Sequence, residues 1–343
     1  MAVKVTICVP FYNVEPFFER CIRSLFEQTY DDLEYIFVDD GSPDNCIKIL
    51  NETQCDYPER IPHVQIIRHE KNRGLSAARN TAVAHCHTDF LLHVDSDDFL
   101  ETDAVEKLVR EQQKDDYDIV TGNGTIFYED RTEVLRNNEH MRKDQLIKEY
   151  IKPTFNHVLW GRLIRTTLYT NNHLTALEGY DIGEDHQVVP CLFYYAQKVS
   201  SINDCIYNYN RMNSQSYMAQ ILLEENFSNW LVHELKAFEI LHDFFFHRGE
   251  QDYCRSVAIE LANLLYKATP AFVIWKQKKE FHFAWSYFYR ISNKYKGVTP
   301  KNIIEAFVKR NYYLYSFVRA VRYGSLIKKL GKLKIYVPTL IGC

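Results

Sequence analysis

Glycine and proline are scarce, 12 and 10 in 343 residues, which disfavours turn-rich sheets and flexible linkers and favours long regular elements. No Cys-Xaa-Xaa-Cys pair occurs among nine scattered cysteines. A zinc ribbon or a disulfide framework is therefore not expected, and a reducing, cytoplasmic setting is. No apolar run approaches the roughly 20 residues of a membrane-spanning helix. The short apolar stretch in the first ten residues does not read as a secretory signal. There is no Walker sequence and no dinucleotide fingerprint, because Gly122-Asn123-Gly124 lacks the third glycine. An EF-hand loop starting near Asp95 would need glycine at position 100, which is Leu100.

What is present is an ordinary globular balance, 46% hydrophobic and 25% charged, which excludes a disordered chain. The net charge of −4 conceals an asymmetry. Residues 276–343 carry 15 Lys and Arg against Glu280 and Glu305, while the preceding 275 residues carry 26 basic and 43 acidic side chains. An acidic body suits a metal-using site, and a basic end suits an anionic surface. Nucleic acid is a poor partner for such a body, and no nucleic-acid module is visible.

The first hundred residues alternate between two periods. Val3–Val9, Leu33–Val38, Val64–Ile67 and Asp89–Val94 are short apolar runs fit for buried strands. Between and after them, Glu15–Gln28, a helix capped by Ser42 with Pro43 at its first position, Leu75–Ala84 and Asp103–Gln113 carry helical spacing. Strands alternating with helices imply right-handed crossovers and a parallel sheet, whose ligands lie beyond the carboxyl ends of the strands. The loops after Val9, Val38, Ile67 and Val94 should therefore converge on one site. Farther on, short strands at Asp118–Thr121, Thr125–Tyr128 and Cys205–Tyr209 mix with helices near Leu146 and at Glu184–Tyr195. Leu222–Phe246 and Val257–Lys267 read as long helices.

The four loops carry the chemistry. They read Pro10-Phe11-Tyr12-Asn13, Asp39-Asp40-Gly41-Ser42, Asn72-Arg73-Gly74 leading to Arg79, and Asp95-Ser96-Asp97-Asp98. Three carboxylates at one strand end, with no adjacent lysine or arginine, repel one another unless a cation sits among them, and hard divalent cations prefer oxygen ligands.

In order and spacing, these segments resemble the nucleotide-binding half of glycosyltransferase family 2. The resemblance covers residues 3–100 and fades beyond about 216. It implies an α/β fold of the GT-A type, a Rossmann-like mixed sheet flanked by helices, with a helical C-terminal extension. The implied domains are 1–216, with a nucleotide-sugar half at 1–100 and an acceptor half at 101–216, and a helical region at 217–343 with a basic end. It also implies roles. Pro10 and Tyr12 floor the base pocket, and Asp40, with Asp39 beside it, accepts from uracil N3–H. Asn72 and Arg79 contact the nucleotide. Asp95, with Ser96 next to it, binds the ribose, and Asp97 binds Mn²⁺ or Mg²⁺. Gly183-Glu184-Asp185 fits the family's acidic pair at a helix start, with Asp185 as the base and Glu184 positioning the acceptor. Trp160 either stacks on an acceptor sugar or belongs to the core.

The expectation is a cytoplasmic, metal-dependent, inverting glycosyltransferase. It would take a UDP-sugar donor and a glycan or lipid-linked glycan acceptor, in capsule, lipopolysaccharide or exopolysaccharide synthesis. Residues 276–343, with apolar positions interleaved among lysines and arginines, would rest peripherally on an anionic membrane surface. Two other classes compete. One is a non-catalytic relative that binds nucleotide-sugar or glycan, against which the intact Asp95, Asp97 and Asp185 stand. The other is a sugar nucleotidyltransferase, which needs a glycine-rich basic loop where Pro10–Pro16 has neither glycine nor Lys or Arg.

Overall fold

The computed structural model describes residues 3–137, 141–153, 157–216, 224–274 and Ser286. Contacts divide the chain into two units, Met1–Leu146 with Val158–Ser216, and Ile147–His157 with Tyr217–Cys343. The basic end at 276–343 lies outside the described residues, apart from Ser286.

The first unit is built on one mixed sheet. Its strands are β1 (Val5–Phe11), β2 (Leu33–Asp39), β3 (Val64–Arg68), β4 (Phe90–His93), β5 (Phe99–Leu100), β6 (Ile119–Phe127), β7 (Thr132–Leu135), β8 (Arg162–Arg165) and β9 (Val199–Asn210). The order is β3-β2-β1-β4-β8-β6-β9-β5, with β7 paired to β6. The first four of these run parallel, and β8 enters antiparallel to β4. All seven residues of β1 and all four of β4 are buried, which is why both read as unbroken apolar runs. Helix α1 (Glu15–Phe26) buries Phe18, Cys21, Ile22, Leu25 and Phe26 on one stripe. Helices α2 (Cys46–Thr53) and α3 (Leu75–His85) follow β2 and β3. Ser76, Ala77, Ala78 and Ala82 of α3 are buried, and these small side chains bring the helix close to β1 and β2. Then come α4 (Ala104–Asp115), α5 (Lys143–Tyr150), of which only the part up to Leu146 belongs to this unit, α6 (Thr166–Thr170) and α7 (Glu184–Tyr195).

Two local expectations are corrected. Ser42 caps no helix, since α2 begins at Cys46. Its hydroxyl donates to Asp44 and accepts from the Asn13 N–H, closing a turn between the first two loops. The strands expected at 118–121 and 125–128 are one continuous β6. Glycine does not break it, because its neighbours come too close to tolerate a side chain. A Cβ at Gly122 would overlap Ile206, and one at Gly124 would lie 2.9 Å from the Trp160 ring.

In the second unit, α8 (Glu224–Phe246) and α9 (Gln251–Ile274) are the long helices expected from Leu222 onward. They pack on each other, burying Leu231, Leu235, Phe238, Leu241 and Phe245 on one and Val257, Ala258, Leu261 and Leu265 on the other. Among the described residues no helix is long and apolar enough to cross a membrane.

Candidate active site

The loops after the parallel strands interlock. Asp39 is fully buried; its Oδ1 accepts the Ser42 N–H at 2.7 Å, and Arg68 Nε lies 3.0 Å from Oδ2. Asp40 is tied more heavily. Its Oδ1 pairs with His69 Nδ1 at 2.6 Å and accepts the Arg73 N–H at 2.9 Å, and its Oδ2 accepts the Gly74 N–H at 2.7 Å. The loop after β3 is thus folded around the Asp40 carboxylate, with the Asn72 side chain accepting the same Gly74 N–H at 3.0 Å. Gly41 must be glycine, with φ +71° and the Lys71 carbonyl carbon 2.9 Å from where a Cβ would stand. Pro10 is buried at the end of β1, paired with Val38, while Tyr12 beyond it is 45% exposed.

The loop after β4 holds the acidic cluster. Asp98 is buried and committed to the fold: its Oδ2 accepts the Tyr207 hydroxyl at 2.7 Å and its Oδ1 the Asn210 N–H at 2.7 Å. Burial, followed by the charges of Asp97 and Asp95, pushes Asp98 well above the usual carboxylate range. Asp97 is only partly buried, and its Oδ2 accepts from Asn213 Nδ2 at 2.8 Å. Burial raises Asp97 to about 6, with the Asn213 amide opposing and the Asp95 charge adding. Ser96 is buried between them. Trp160 belongs to the core: it is 3% exposed and stacks on Tyr207, ring centroids 4.2 Å apart at 10°. It therefore presents no face to a sugar; it backs the tyrosine whose hydroxyl donates to Asp98 and accepts the Asp95 N–H at 3.0 Å.

A second pair of acids arrives on α7. Gly183, at φ +80°, turns the chain into the helix, and Glu184 and Asp185 occupy its first turn, where the helix dipole favours anions. The stretch leading to α7 is fastened to α3. Asn80 exchanges two hydrogen bonds with the Ala176 backbone, at 2.7 and 3.0 Å, and Asp181 accepts the Ser76 N–H at 2.9 Å.

Arg79 occupies the middle. Expected to contact the nucleotide, it is 4% exposed and surrounded by acids. Its Nη2 donates to Asp95 at 2.6 Å, and its Nη1 donates to Asp185 at 2.5 Å and to Glu184. Asp185 also accepts the Leu159 N–H at 3.3 Å. Burial raises Asp185 above the ordinary range, Arg79 pulls it back, and Asp95 adds to the rise. Glu184 is raised further, by burial and then by the Asp185 charge. One cation among three acids leaves an anionic centre beside Asp97 and Asp98.

That excess suits a divalent cation. Among the described residues no three acidic, histidine or cysteine side chains form a metal-holding group. Asp97 alone, completed by a diphosphate and water, is the donor set expected of Mg²⁺ or Mn²⁺ at a nucleotide, whereas a closed protein cage is not.

Of the residues named from sequence, Asp95, Arg79, Glu184 and Asp185 are brought into direct contact, and Asp39, Asp40 and Asn72 gather at the loops after β2 and β3. His69, Asp181, Tyr207 and Asn213 were not singled out as site residues. Tyr207 does lie in the Tyr207-Asn208-Tyr209-Asn210-Arg211 run, and Ser214 and Ser216 follow Asn213; together these resemble a closing segment. Nothing near His69 or Asp181 in the sequence announces partners 29 and 105 residues away.

Residues 6–173 match the model of the family described as Glycosyl transferase family 2. The uncharacterized glycosyltransferase EpsJ of Bacillus subtilis (strain 168) is 33% identical over 219 residues, covering 61% of this chain and 61% of that one. A chondroitin synthase of Escherichia coli is 42% identical over 111 residues, covering 32% of this chain and 16% of that one. The matches thus span less than two thirds of either relative. The crystal structure of S. aureus TarS 1-349 in complex with UDP-GlcNAc superimposes with a TM-score of 0.65 at 16% identity, covering 92% of this chain and 87% of that one. At that identity the likeness concerns the fold, which is GT-A.

Proposed function

This chain belongs to glycosyltransferase family 2, and from that premise we propose that it moves a sugar from a UDP-sugar to a hydroxyl of a growing cell-surface glycan, with inversion. The observation that carries the proposal is the buried contact joining Asp95, at the end of a donor-side strand, to Asp185, at the start of an acceptor-side helix, through Arg79. On this reading the donor-binding Asp95 and the base Asp185 lie on either side of one guanidinium. Asp185 takes the proton of the acceptor hydroxyl as its oxygen attacks the anomeric carbon. The bond from that carbon to the diphosphate breaks, and UDP leaves. Glu184, beside Asp185 and bonded to Arg79, helps position the acceptor.

On the donor side, Asp95 Oδ2 accepts no hydrogen bond from the described residues, and the side chain is 27% exposed, which suits a ribose hydroxyl. Tyr12 supplies an exposed ring for stacking, above buried Pro10. Asp40 has already received three donors, two on Oδ1 and one on Oδ2, so uracil N3–H would take the remaining lone pair of Oδ2. A divalent ion held by Asp97 would neutralise the charge growing on the departing diphosphate. The UDP-GlcNAc in the TarS complex supports a uridine donor, and the name of the chondroitin synthase supports a glycan acceptor.

Calorimetric titration with UDP, GDP and dTDP, each with and without Mn²⁺, tests the donor. UDP is expected to bind, and to bind more tightly with Mn²⁺. A folded protein that takes GDP or dTDP in preference removes the uracil reading, and one that binds none removes the donor site. The basic residues 276–343 are proposed to hold the enzyme on an anionic leaflet at the cytoplasmic face. The intact chain should float with phosphatidylserine liposomes and stay behind with neutral ones; equal behaviour with both would end that proposal.

A further inference from the structure

Arg79 leaves the first half of α3 and turns inward. The three acids that it meets come from places far apart in sequence: Asp95 is 16 residues away, Glu184 is 105 and Asp185 is 106. No two of Asp95, Arg79 and Asp185 share an element. Lysine could not do the same, because the contact uses both terminal nitrogens of a planar fork in fixed directions. Arg79 holds each of the two outer acids by one oxygen. Asp95 gives Oδ1 to Arg79 and keeps Oδ2 uncommitted among the described residues, while Asp185 gives Oδ1 to Arg79 and Oδ2 to the Leu159 N–H.

We propose that Arg79 is a positioning residue shared by the two halves of the reaction: one guanidinium sets the donor-binding carboxylate Asp95 and the base Asp185 at a fixed separation and holds a positive charge against the base. The inference rests on the function proposed above and gives Arg79 a role other than nucleotide contact.

The electrostatics run the same way. Asp185 is faced by Arg79 from α3, by Asp95 from beyond β4, by Glu184 on its own helix and by the phenol of Tyr169 from α6. Only Arg79 in that set is a cation. Burial and the Asp95 charge favour the protonated carboxyl, which cannot accept the acceptor's proton, while the hydrogen bonds to Glu184 and the Leu159 N–H favour the ionised form without supplying a charge. Without the guanidinium Asp185 would be neutral at a pH where the native base is charged. An opposite charge at this range shifts a carboxyl by about 1–3 pH units. The fork also links binding to chemistry: a ribose hydroxyl that engages Asp95 Oδ2 meets a carboxylate already aligned, and the same alignment sets Asp185.

Two variants of the full chain, Arg79→Lys and Arg79→Met, separate charge from geometry. The first readout is UDP affinity by calorimetry, with UDP alone as the probe. The second is the protonated-carboxyl infrared band followed against pH, with the contribution of Asp185 identified by its loss on adding Asp185→Asn. Arg79→Met should weaken UDP about tenfold, the worth of one charge-assisted hydrogen bond. It should also move the Asp185 band upward by about one pH unit or more. Arg79→Lys should leave the band near its native position, since the charge remains, yet weaken UDP, since the fork is gone. The proposal is overturned if UDP affinity and the Asp185 band are both native in either variant. Should Arg79→Met fail to fold, Arg79→Lys still decides through UDP affinity. If the native chain itself binds no UDP, the fault lies with the donor reading; if it binds UDP and the variants match it, only the role of Arg79 falls.

Discussion

Asp185→Asn is expected to lower kcat by about 10²–10⁴, the range of a lost general base, and to leave UDP binding in place. The substitution is close to isosteric. An asparagine Oδ1 still accepts from Arg79, so the clamp at the start of α7 survives while the proton acceptor is lost. The pH dependence has a definite sign. A base works only when ionised, and burial raises Asp185 above the ordinary carboxylate range before Arg79 lowers it again. The native rate should therefore fall as pH drops through a value above that of a free aspartate, and the residual rate of Asp185→Asn should lack this limb. Turnover of a UDP-sugar at native speed by Asp185→Asn would remove Asp185 from the chemistry. Native UDP binding with no turnover in either protein would favour the non-catalytic relative.

Asp97→Ala should abolish the gain in UDP affinity that Mn²⁺ confers, and should lower kcat by about 10²–10³, as when a preorganised charge facing the leaving group is removed. The contrast with its neighbour explains why Asp97 is the position to change. Asp98 spends both oxygens on Tyr207 and on the Asn210 backbone, so altering it would damage the fold as well as the charge. Among the described residues the one side chain that donates to Asp97 is Asn213, and Asp97 is less buried than Asp98. Calorimetry of UDP with and without Mn²⁺ reads the result directly. Undiminished metal dependence in folded Asp97→Ala would place the ion elsewhere.

The parts legible in the sequence were those set by near neighbours. The unbroken apolar runs of β1 and β4, the stripe on α1 and the small face of α3 all declare themselves within a dozen residues. Helix α7 was read with the bounds it has, Glu184–Tyr195, because its acidic first turn follows glycine. What escaped depends on distant partners. The glycines of β6 look like breaks until Ile206 and Trp160 are seen against them. Ser42 has the composition of a cap, yet Asp44 and the Asn13 N–H claim its hydroxyl first. Arg79 reads as a nucleotide contact on a small-residue helix, and only the acids 16, 105 and 106 residues later show where its guanidinium goes. Asp40 is similar: the sequence supplies a carboxylate for a ligand, and the fold uses it also as the nucleus of its own loop.

The fastening of residues 176–181 to α3 has a consequence for how such a chain can vary. Asn80 and the Ser76 N–H fix that stretch from outside the sheet, and Asp181 stands where any side chain on Gly74 would collide with it. The register of the two acids on α7 is thus measured from Asp181, which is fastened to the N-terminal end of α3 and lies only a few residues upstream of them. Length changes ahead of Ala176 fall before the last fixed point and are absorbed there. A single residue gained or lost between Asp181 and Glu184 has nowhere to be absorbed. Tolerance to insertion and deletion should therefore switch sharply within this short stretch, making it a ruler laid between a permissive region and an inflexible one.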